Sequence, residues 1–253
     1  MSPNIYRCRP MDDLKKVLAR DYVDERTGLL NGKRVDLMSP FSNVLMNLPS
    51  VMGNEVTAGR SHCFTESELS AILEGLERYC GILPRGKRSV IHDCFRNLAH
   101  QALDPATAGL YSAEQYAQPD FPFQPFDPAA PMNWVWAYSL LEERPILVPD
   151  QLAYYSMGCE GSFVQEASNG CALGGSLEEA ILYGILEVVE RDSFLLTWYA
   201  QLSIPRLDPY SAQDKELQLM VDRLQMVAGY DVFLFNMTME TGIPSIWATV
   251  KKQ

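Results

Sequence analysis

Hydrophobic residues recur at three- and four-residue intervals in four segments, which predicts helices over residues 11–23, 65–80, 176–200 and 216–227. The second and third segments open with capping-box patterns, Thr65 with Glu68 and Ser176 with Glu179. Runs rich in β-branched and aromatic residues predict strands at 134–141 and 146–148, paired as a hairpin, and at 231–236 and 243–250. Residues 104–131 are rich in Pro and Asp and predict a long loop. These patterns together predict a mixed α/β protein.

The helix predicted over residues 65–80 carries a polar stripe beside its apolar face. On a helical wheel, Ser70, Glu74 and Glu77 fall within about 60° of one another. One interpretation is a solvent-exposed face on which Glu74 pairs with Arg78 at i,i+4. The other interpretation is a face that binds a ligand. Taken alone, this helix favours the exposed face.

The helix predicted over residues 176–200 is apolar on nearly all sides, which predicts that it is mostly buried. On its wheel Glu179 and Glu190 lie about 20° apart, and Glu187 lies about 60° further on. Buried carboxylates are costly unless a cation meets them, and Arg191 alone cannot neutralise three. The pattern therefore indicates a bound cation.

The two acidic helices share a sequence pattern, Ala-Ile-Leu followed by Glu-x-x-Glu-Arg, at residues 71–78 and 180–191. If the helices face each other, four carboxylates converge, those of Glu74, Glu77, Glu187 and Glu190. Magnesium uses a few protein carboxylates together with phosphate oxygens, so this convergence indicates a metal-bridged nucleotide. The alternative is a carboxylate pair for glycoside hydrolysis, but that chemistry requires two acids held apart across a cleft.

A glycine-rich segment with Gly170, Gly174 and Gly175 precedes the second acidic helix. These glycines allow close backbone approach to a helix N-terminus, where free N–H groups favour an anion. The segment lacks the Lys-Ser/Thr of a Walker A loop, and the chain has no G-x-G-x-x-G. Because a capping box already explains Ser176 and Glu179, a ligand role for Glu179 stays open on these grounds.

Composition narrows the class of protein. The 253 residues include 32 acidic and 21 basic ones, for a net charge of −11, and the one compact basic run is at residues 85–88. Nucleic acid is therefore not expected as the main partner. No segment is apolar for the length of a membrane span, and the six cysteines form no C-x-x-C pair. We expect a soluble cytoplasmic protein with reduced thiols.

Taken together, the patterns at residues 70–78, 168–180 and 187–192 resemble the YcaO superfamily. They are most similar to its cyclodehydratase branch, the streptolysin-type D proteins of microcin and bacteriocin biosynthesis. The resemblance implies a YcaO-type α/β fold with mixed sheets, two long acidic helices facing a nucleotide site, and the cofactors ATP and Mg²⁺. It implies Mg²⁺ ligation by Glu74, Glu77, Glu187 and Glu190. It implies ATP contacts by Ser70, Arg78, Glu179 and Arg191.

The implied reaction forms azoline rings from Cys, Ser or Thr of a precursor peptide, by ATP-dependent phosphorylation of a backbone amide oxygen. The implied partners are that peptide, a leader-peptide-binding protein, a flavin-dependent dehydrogenase and a possible homodimer. Thioamide or amidine formation and a catalytically silent docking fragment are the alternatives. The resemblance covers the N-terminal half to two-thirds of such enzymes. We therefore expect a helical extension at residues 1–23 and a partial YcaO domain at 24–253, with its C-terminal part missing.

Two positions depart from the pattern of some family members. Ala172 and Gly175 stand where those relatives carry Ser and Asn, so side-chain hydrogen bonds to the nucleotide are not expected from these two positions.

Overall fold

A computed structural model describes residues 7–9, 11–50, 53–84, 90–155 and 161–252. The described chain divides into two compact units. The described residues of Met1–Gly75 and Asn169–Gln253 form the first unit, and those of Leu76–Ser168 form the second. The basic run at residues 85–88 lies outside the described residues. The boundary expected after residue 23 stays a prediction.

Helices and short antiparallel sheets alternate along the chain, which confirms the predicted mixed α/β class. The helices are α1 (Met11–Tyr22), α2 (Phe64–Ile82), α3 (Phe95–Leu98), α4 (Ala113–Tyr116), α5 (Asp150–Ala153), α6 (Leu177–Tyr199) and α7 (Lys215–Arg223). The strands are β1 (Asn31–Asp36), β2 (Ser42–Ser50), β3 (Gly53–Ser61), β4 (Val90–Cys94), β5 (Pro131–Ser139), β6 (Arg144–Pro149), β7 (Arg206–Leu207), β8 (Tyr230–Asn236) and β9 (Ile246–Lys252). Within the described ranges they form three antiparallel sheets, β1-β2-β3, β4-β5-β6 and β7-β8-β9.

The core of the first unit is built on β2 and α2. Val44, Met46 and Leu48 alternate along β2 and are almost fully buried, as expected for a strand with one face in the core. Leu69 and Ile72, three residues apart on α2, are equally buried. This packing places β3, the neighbour of β2, and the first turns of α2 in the same unit.

The second unit is centred on the fully buried Trp134 of β5, whose indole N–H donates to the carbonyl oxygen of Asp93 at 2.9 Å. Phe95 stacks on this ring at 6.1 Å, and Leu98 and Leu147 complete the cluster. Strands β5 and β6 pair as the predicted hairpin. The predicted loop at residues 104–131 contains only short helical turns and packs through its own aromatic rings.

The start of α2 differs from the sequence expectation. The helix begins at Phe64, so Thr65 is not its N-cap, and the hydroxyl of Thr65 instead accepts from the Lys15 ammonium at 3.0 Å. The predicted capping box at this helix is therefore wrong. The helix also continues through Gly81, where the absence of a side chain leaves room for the ring of Tyr155.

Near the end of the chain, α7 passes into a π-helical turn, Leu224–Ala228, which Gly229 ends at φ 68°. Strands β8 and β9 then pair antiparallel, close to the predicted bounds. Within the described part of the chain, no helix combines the length and apolar character needed to span a bilayer.

Candidate functional site

Helix α6 begins at a capped N-terminus that follows the glycine-rich segment. The N-cap residue Ser176 is extended, and its hydroxyl accepts the backbone N–H of Glu179 at 3.2 Å, which confirms the predicted cap. A Cβ on Gly174 would lie 2.7 Å from the carbonyl oxygen of Ser176, closer than side chains tolerate. Residue 174 must therefore be glycine for this turn to reach the helix. The first-turn N–H groups of a helix carry partial positive charge that attracts anions.

The carboxylate of Glu179 is the buried charge at this N-terminus, with its side chain 4% exposed. Its Oε2 accepts the backbone N–H of Gly175 at 2.9 Å and that of Cys8 at 3.2 Å. Its Oε1 lies 3.5 Å from a guanidinium nitrogen of Arg7 and has no hydrogen-bond partner among the described residues. The reciprocal half of the predicted capping box is wrong, because the carboxylate reaches Gly175 rather than the N–H of Ser176.

Opposing effects set the pKa of Glu179. Burial acts to raise the pKa, whereas the N–H of Gly175, the hydrogen bonds from Cys8 and the charge of Arg7 lower it, and the net pKa is below its ordinary value. The carboxylate is therefore ionised near neutral pH. A buried anionic oxygen without a hydrogen bond is costly, so this atom suits a cation or a donor-bearing ligand.

Further along α6, Glu187 lies beside Arg191, with 4.0 Å between a carboxylate oxygen and a guanidinium nitrogen. Both side chains are partly open to solvent, so this pair contributes little to stability and can change partners at low cost. Glu190 is exposed. Because Glu187 and Glu190 are three residues apart on one helix, their carboxylates are neighbours on its surface.

On α2 the four predicted site residues, Ser70, Glu74, Glu77 and Arg78, are all half-buried. Their stripe is therefore not a fully exposed face. One carboxylate oxygen of Glu74 accepts the backbone N–H of Ala58 on β3 at 2.6 Å. This bond holds Glu74 against the sheet of the first unit, and nothing in the sequence indicated it.

In the described ranges, no three His, Cys, Asp or Glu side chains come close enough together to form a metal site. The glutamates predicted as metal ligands are instead two i,i+3 pairs, Glu74 with Glu77 on α2 and Glu187 with Glu190 on α6. Magnesium commonly takes one or two carboxylates and completes its coordination with phosphate oxygens and water. The donor chemistry of each pair fits Mg²⁺, and the assignment of these four ligands stays a prediction.

The prediction that the second acidic helix is mostly buried is wrong for the described chain. The residues of α6 that are buried are small or polar, namely Glu179, Gly184, Ser193 and Thr197. Large apolar side chains of α6 are exposed, namely those of Leu177, Ile181, Leu182, Ile185, Val188, Leu195, Leu196, Trp198 and Tyr199. An apolar helix is expected to pack against other residues, but its sequence does not show whether those residues belong to the same chain.

Sequence reasoning missed a polar cavity in the second unit, of about 370 Å³. Its wall includes Asp150, which is 5% exposed and whose pKa is raised by burial, with Asn133 as a hydrogen-bond partner. His92 Nδ1 lies 3.0 Å from the side-chain oxygen of the same Asn133. His92 on β4 pairs with Asn133 on β5, and Asp150 directly follows β6 as the first residue of α5, an arrangement that no motif in the sequence indicates.

Comparison with known proteins identifies the family. Residues 58–253, which include both acidic helices, match the sequence model of a family described as YcaO cyclodehydratase, ATP- and Mg²⁺-binding. The chain belongs to the YcaO family. A protein of Rhizobium leguminosarum bv. trifolii, named for its position in the tfuA 3′ region, is 33% identical to this YcaO chain over 127 residues, or 47% of the chain and 29% of the relative.

Solved structures show the same fold. A heterocyclase in complex with substrate and cofactor superposes on 98% of this YcaO chain with a TM-score of 0.84 and 24% identity. The YcaO protein of Methanopyrus kandleri, bound with AMPPCP and Mg²⁺, superposes on 96% with a TM-score of 0.65 and 21% identity. The chain spans 36% of the first structure and 63% of the second, so it corresponds to part of these relatives.

Proposed function

We propose that this YcaO chain binds ATP through Mg²⁺ as part of a peptide-backbone cyclodehydratase. The observation that carries the proposal is the ionised, buried carboxylate of Glu179, with one oxygen that has no hydrogen bond within the described residues, at the glycine-led N-terminus of α6. A nucleotide phosphate and its metal would satisfy the helix N-terminus and this oxygen together. Membership of a family described as ATP- and Mg²⁺-binding supports the same conclusion.

Each site residue has a role in this proposal. Glu74, Glu77, Glu187 and Glu190 hold Mg²⁺. Ser70, Arg78 and Arg191 contact the nucleotide directly, and Glu179 contacts it through the bound metal. Bound Mg²⁺ would supply charge stabilisation for phosphoryl transfer. Arg191 now lies beside Glu187, and a divalent cation on Glu187 would release its guanidinium for a phosphate oxygen.

The proposed reaction removes one water equivalent for each ring formed. A Cys, Ser or Thr side chain of a precursor peptide attacks the preceding backbone carbonyl carbon. The former amide oxygen takes the γ-phosphoryl group of ATP and leaves as phosphate, which gives a thiazoline or oxazoline and ADP. Likeness to a heterocyclase solved with its substrate supports this choice over thioamide or amidine formation.

The proposed setting is the cytoplasm, in a pathway that makes thiazole- and oxazole-modified peptides. The proposed partners are a precursor peptide, a leader-peptide-binding protein and a flavin-dependent dehydrogenase, with a possible homodimer. A relative encoded beside tfuA adds the product of a neighbouring gene as a further candidate partner.

A second candidate function is docking of a peptide or partner protein without ATP turnover. The exposed apolar residues of α6 favour it, because large exposed apolar surfaces mark interaction sites. The chain also spans only 36% of the heterocyclase that it resembles. The two candidates differ in one observable, which is nucleotide consumption.

The test is a dehydration assay with ATP, Mg²⁺, a leader-binding partner and a precursor peptide that contains Cys, Ser and Thr. We expect the peptide to lose the mass of one water per ring, with one phosphate released per ring. A peptide that binds the chain while its mass and the phosphate concentration stay unchanged would support docking and refute the cyclodehydratase. The Glu187→Gln/Glu190→Gln variant is the control for metal-dependent turnover.

A further inference from the structure

Three residues near the start of the chain, Arg7–Arg9, lie on the N-terminus of α6 and are called the cover segment here. The backbone N–H of Cys8 donates to Glu179 Oε2 at 3.2 Å, and its thiol lies 3.7 Å from the hydroxyl of Ser176. A Cβ on Gly175 would be 3.2 Å from Cγ of Arg9. The cover segment therefore contacts the glycine-rich turn, the N-cap and the buried carboxylate together.

Arg7 makes the most selective contacts of the cover segment. Its guanidinium lies 3.5 Å from Glu179 Oε1 and 4.5 Å from the ring centroid of Tyr183, one turn further along α6. The side chain of Arg7 is 38% exposed, whereas that of Glu179 is 4% exposed. One partner is buried while the other reaches in from solvent, so the two charges can separate by movement of the Arg7 side chain.

The geometry of the ion pair is incomplete. Glu179 Oε1 has a cation nearby but no hydrogen bond from the described residues, so Arg7 compensates its charge without satisfying the atom. A partly exposed ion pair of this kind is weak. A divalent cation or a phosphate-bound metal would make a stronger interaction with the same oxygen. The cover segment is thus a partner that a suitable ligand can replace.

We propose that the cover segment is displaceable: it occupies the Glu179 carboxylate while no nucleotide is bound and leaves it when a magnesium–nucleotide complex binds. This inference rests on the proposed nucleotide site. It assigns Arg7 a regulatory role, because binding must compete with the contacts of Arg7 and Cys8. A ligand shifts such an equilibrium only by its preference for the open state, so weakening the cover strengthens binding.

The first experiment compares Mg²⁺·AMPPCP affinity by isothermal titration calorimetry in the full chain and in Arg7→Ala. Loss of a weak, partly exposed ion pair predicts about two- to fivefold tighter binding to Arg7→Ala. Arg7→Lys keeps the charge and should bind within about twofold of the native chain. Arg20→Ala removes an exposed guanidinium that pairs with Asp21 and serves as the matched control, with unchanged affinity expected.

The second experiment follows the cover segment directly by selective ¹⁵N labelling of cysteine. The Cys8 amide, assigned with Cys8→Ser, reports its hydrogen bond to Glu179, and the Cys63 amide is the internal control. We expect the Cys8 signal to move on saturation with Mg²⁺·AMPPCP while the Cys63 signal stays in place. In Arg7→Ala without nucleotide, the Cys8 signal should already lie part of the way toward that position.

The outcomes separate this inference from the proposed function. If the native chain binds nucleotide but the Cys8 signal does not move, the displacement proposal is refuted while the proposed nucleotide site is supported. If Arg7→Ala binds more weakly than the native chain, Arg7 is a nucleotide ligand and the cover is again wrong. If neither protein binds, both proposals fail. Binding that is detected only in Arg7→Ala would also refute displacement, because the nucleotide would then be unable to open the cover in the native chain.

Discussion

Gly59 on β3 is the position where one methyl group should disturb the first unit most. A Cβ there would lie 2.7 Å from the amide nitrogen of Ala71 and closer still to the carbonyl oxygen of Ser67, both in the backbone of α2. Ordinary contacts begin at 3.4 Å, so the contact with Ala71 alone would require α2 to move by about 0.7 Å, and the closer contact with Ser67 requires a larger shift. That shift would also strain the bond between Glu74 and the N–H of Ala58.

Two effects set the size of the stability loss expected for Gly59→Ala. Overpacking costs about 1–3 kcal/mol, and contact with rigid backbone places this case at about 3 kcal/mol. Alanine also restricts the unfolded chain, which offsets about 0.4–1 kcal/mol. We therefore expect a net loss of about 2 kcal/mol in the free energy of unfolding, seen in urea titrations by circular dichroism as a lower midpoint at unchanged slope.

Gly242→Ala is the control that separates steric contact from backbone strain. Gly242 has φ 69°, and no described atom lies within 4 Å of the point that a Cβ would occupy, so alanine there meets strain but no clash. Its expected loss is about 1 kcal/mol. A Gly59→Ala protein that is as stable as the native chain, or more stable than Gly242→Ala, would refute the close packing of β3 on α2.

Three further predictions concern caps and charges, each read from urea titrations. Ser176→Ala removes the α6 cap and should lower the free energy of unfolding by about 1 kcal/mol, whereas Ser176→Asp should keep most of the native stability. The lowered pKa of Glu179 means that its carboxylate stabilises the fold above its unfolded pKa. The difference in free energy of unfolding between the native chain and Glu179→Gln should therefore shrink as pH falls through the folded pKa of Glu179. A difference that grows in acid would contradict this prediction. Asp150 has a raised pKa, so stability should decline as pH rises from about 3.9 through the folded pKa, and Asp150→Asn should remove that decline.

Local patterns predicted the elements whose signals lie within a few residues of one another. The long helix α6, its Ser176 cap and the β5–β6 hairpin follow from periodicity and end signals in their own segments. The start of α2 could not be predicted from its own segment, because the Thr65 hydroxyl accepts a hydrogen bond from Lys15 on α1. Local reasoning succeeded where the hydrogen-bond partners are local and failed where they are not.

The candidate site shows the same division. The acidic residues Glu74, Glu187 and Glu190 were predicted as site residues from their spacing on helices. The contact of Glu179 with Cys8 joins residues 171 positions apart, and no helical or strand period can indicate such a pair. The exposure of α6 could not be predicted from the sequence either. A run of apolar residues indicates a surface that should be buried, but it does not indicate which chain buries it.

The central claim is that the acidic helices bind a nucleotide through Mg²⁺, and isothermal titration calorimetry tests it most directly. AMPPCP is titrated, with and without Mg²⁺, into the native chain and into Glu187→Gln/Glu190→Gln, with circular dichroism to confirm that both are folded. We predict saturable heat for the native chain with Mg²⁺, and none without Mg²⁺ or in the double variant. Equal binding by the folded double variant, or a folded native chain that gives no heat, would contradict this claim.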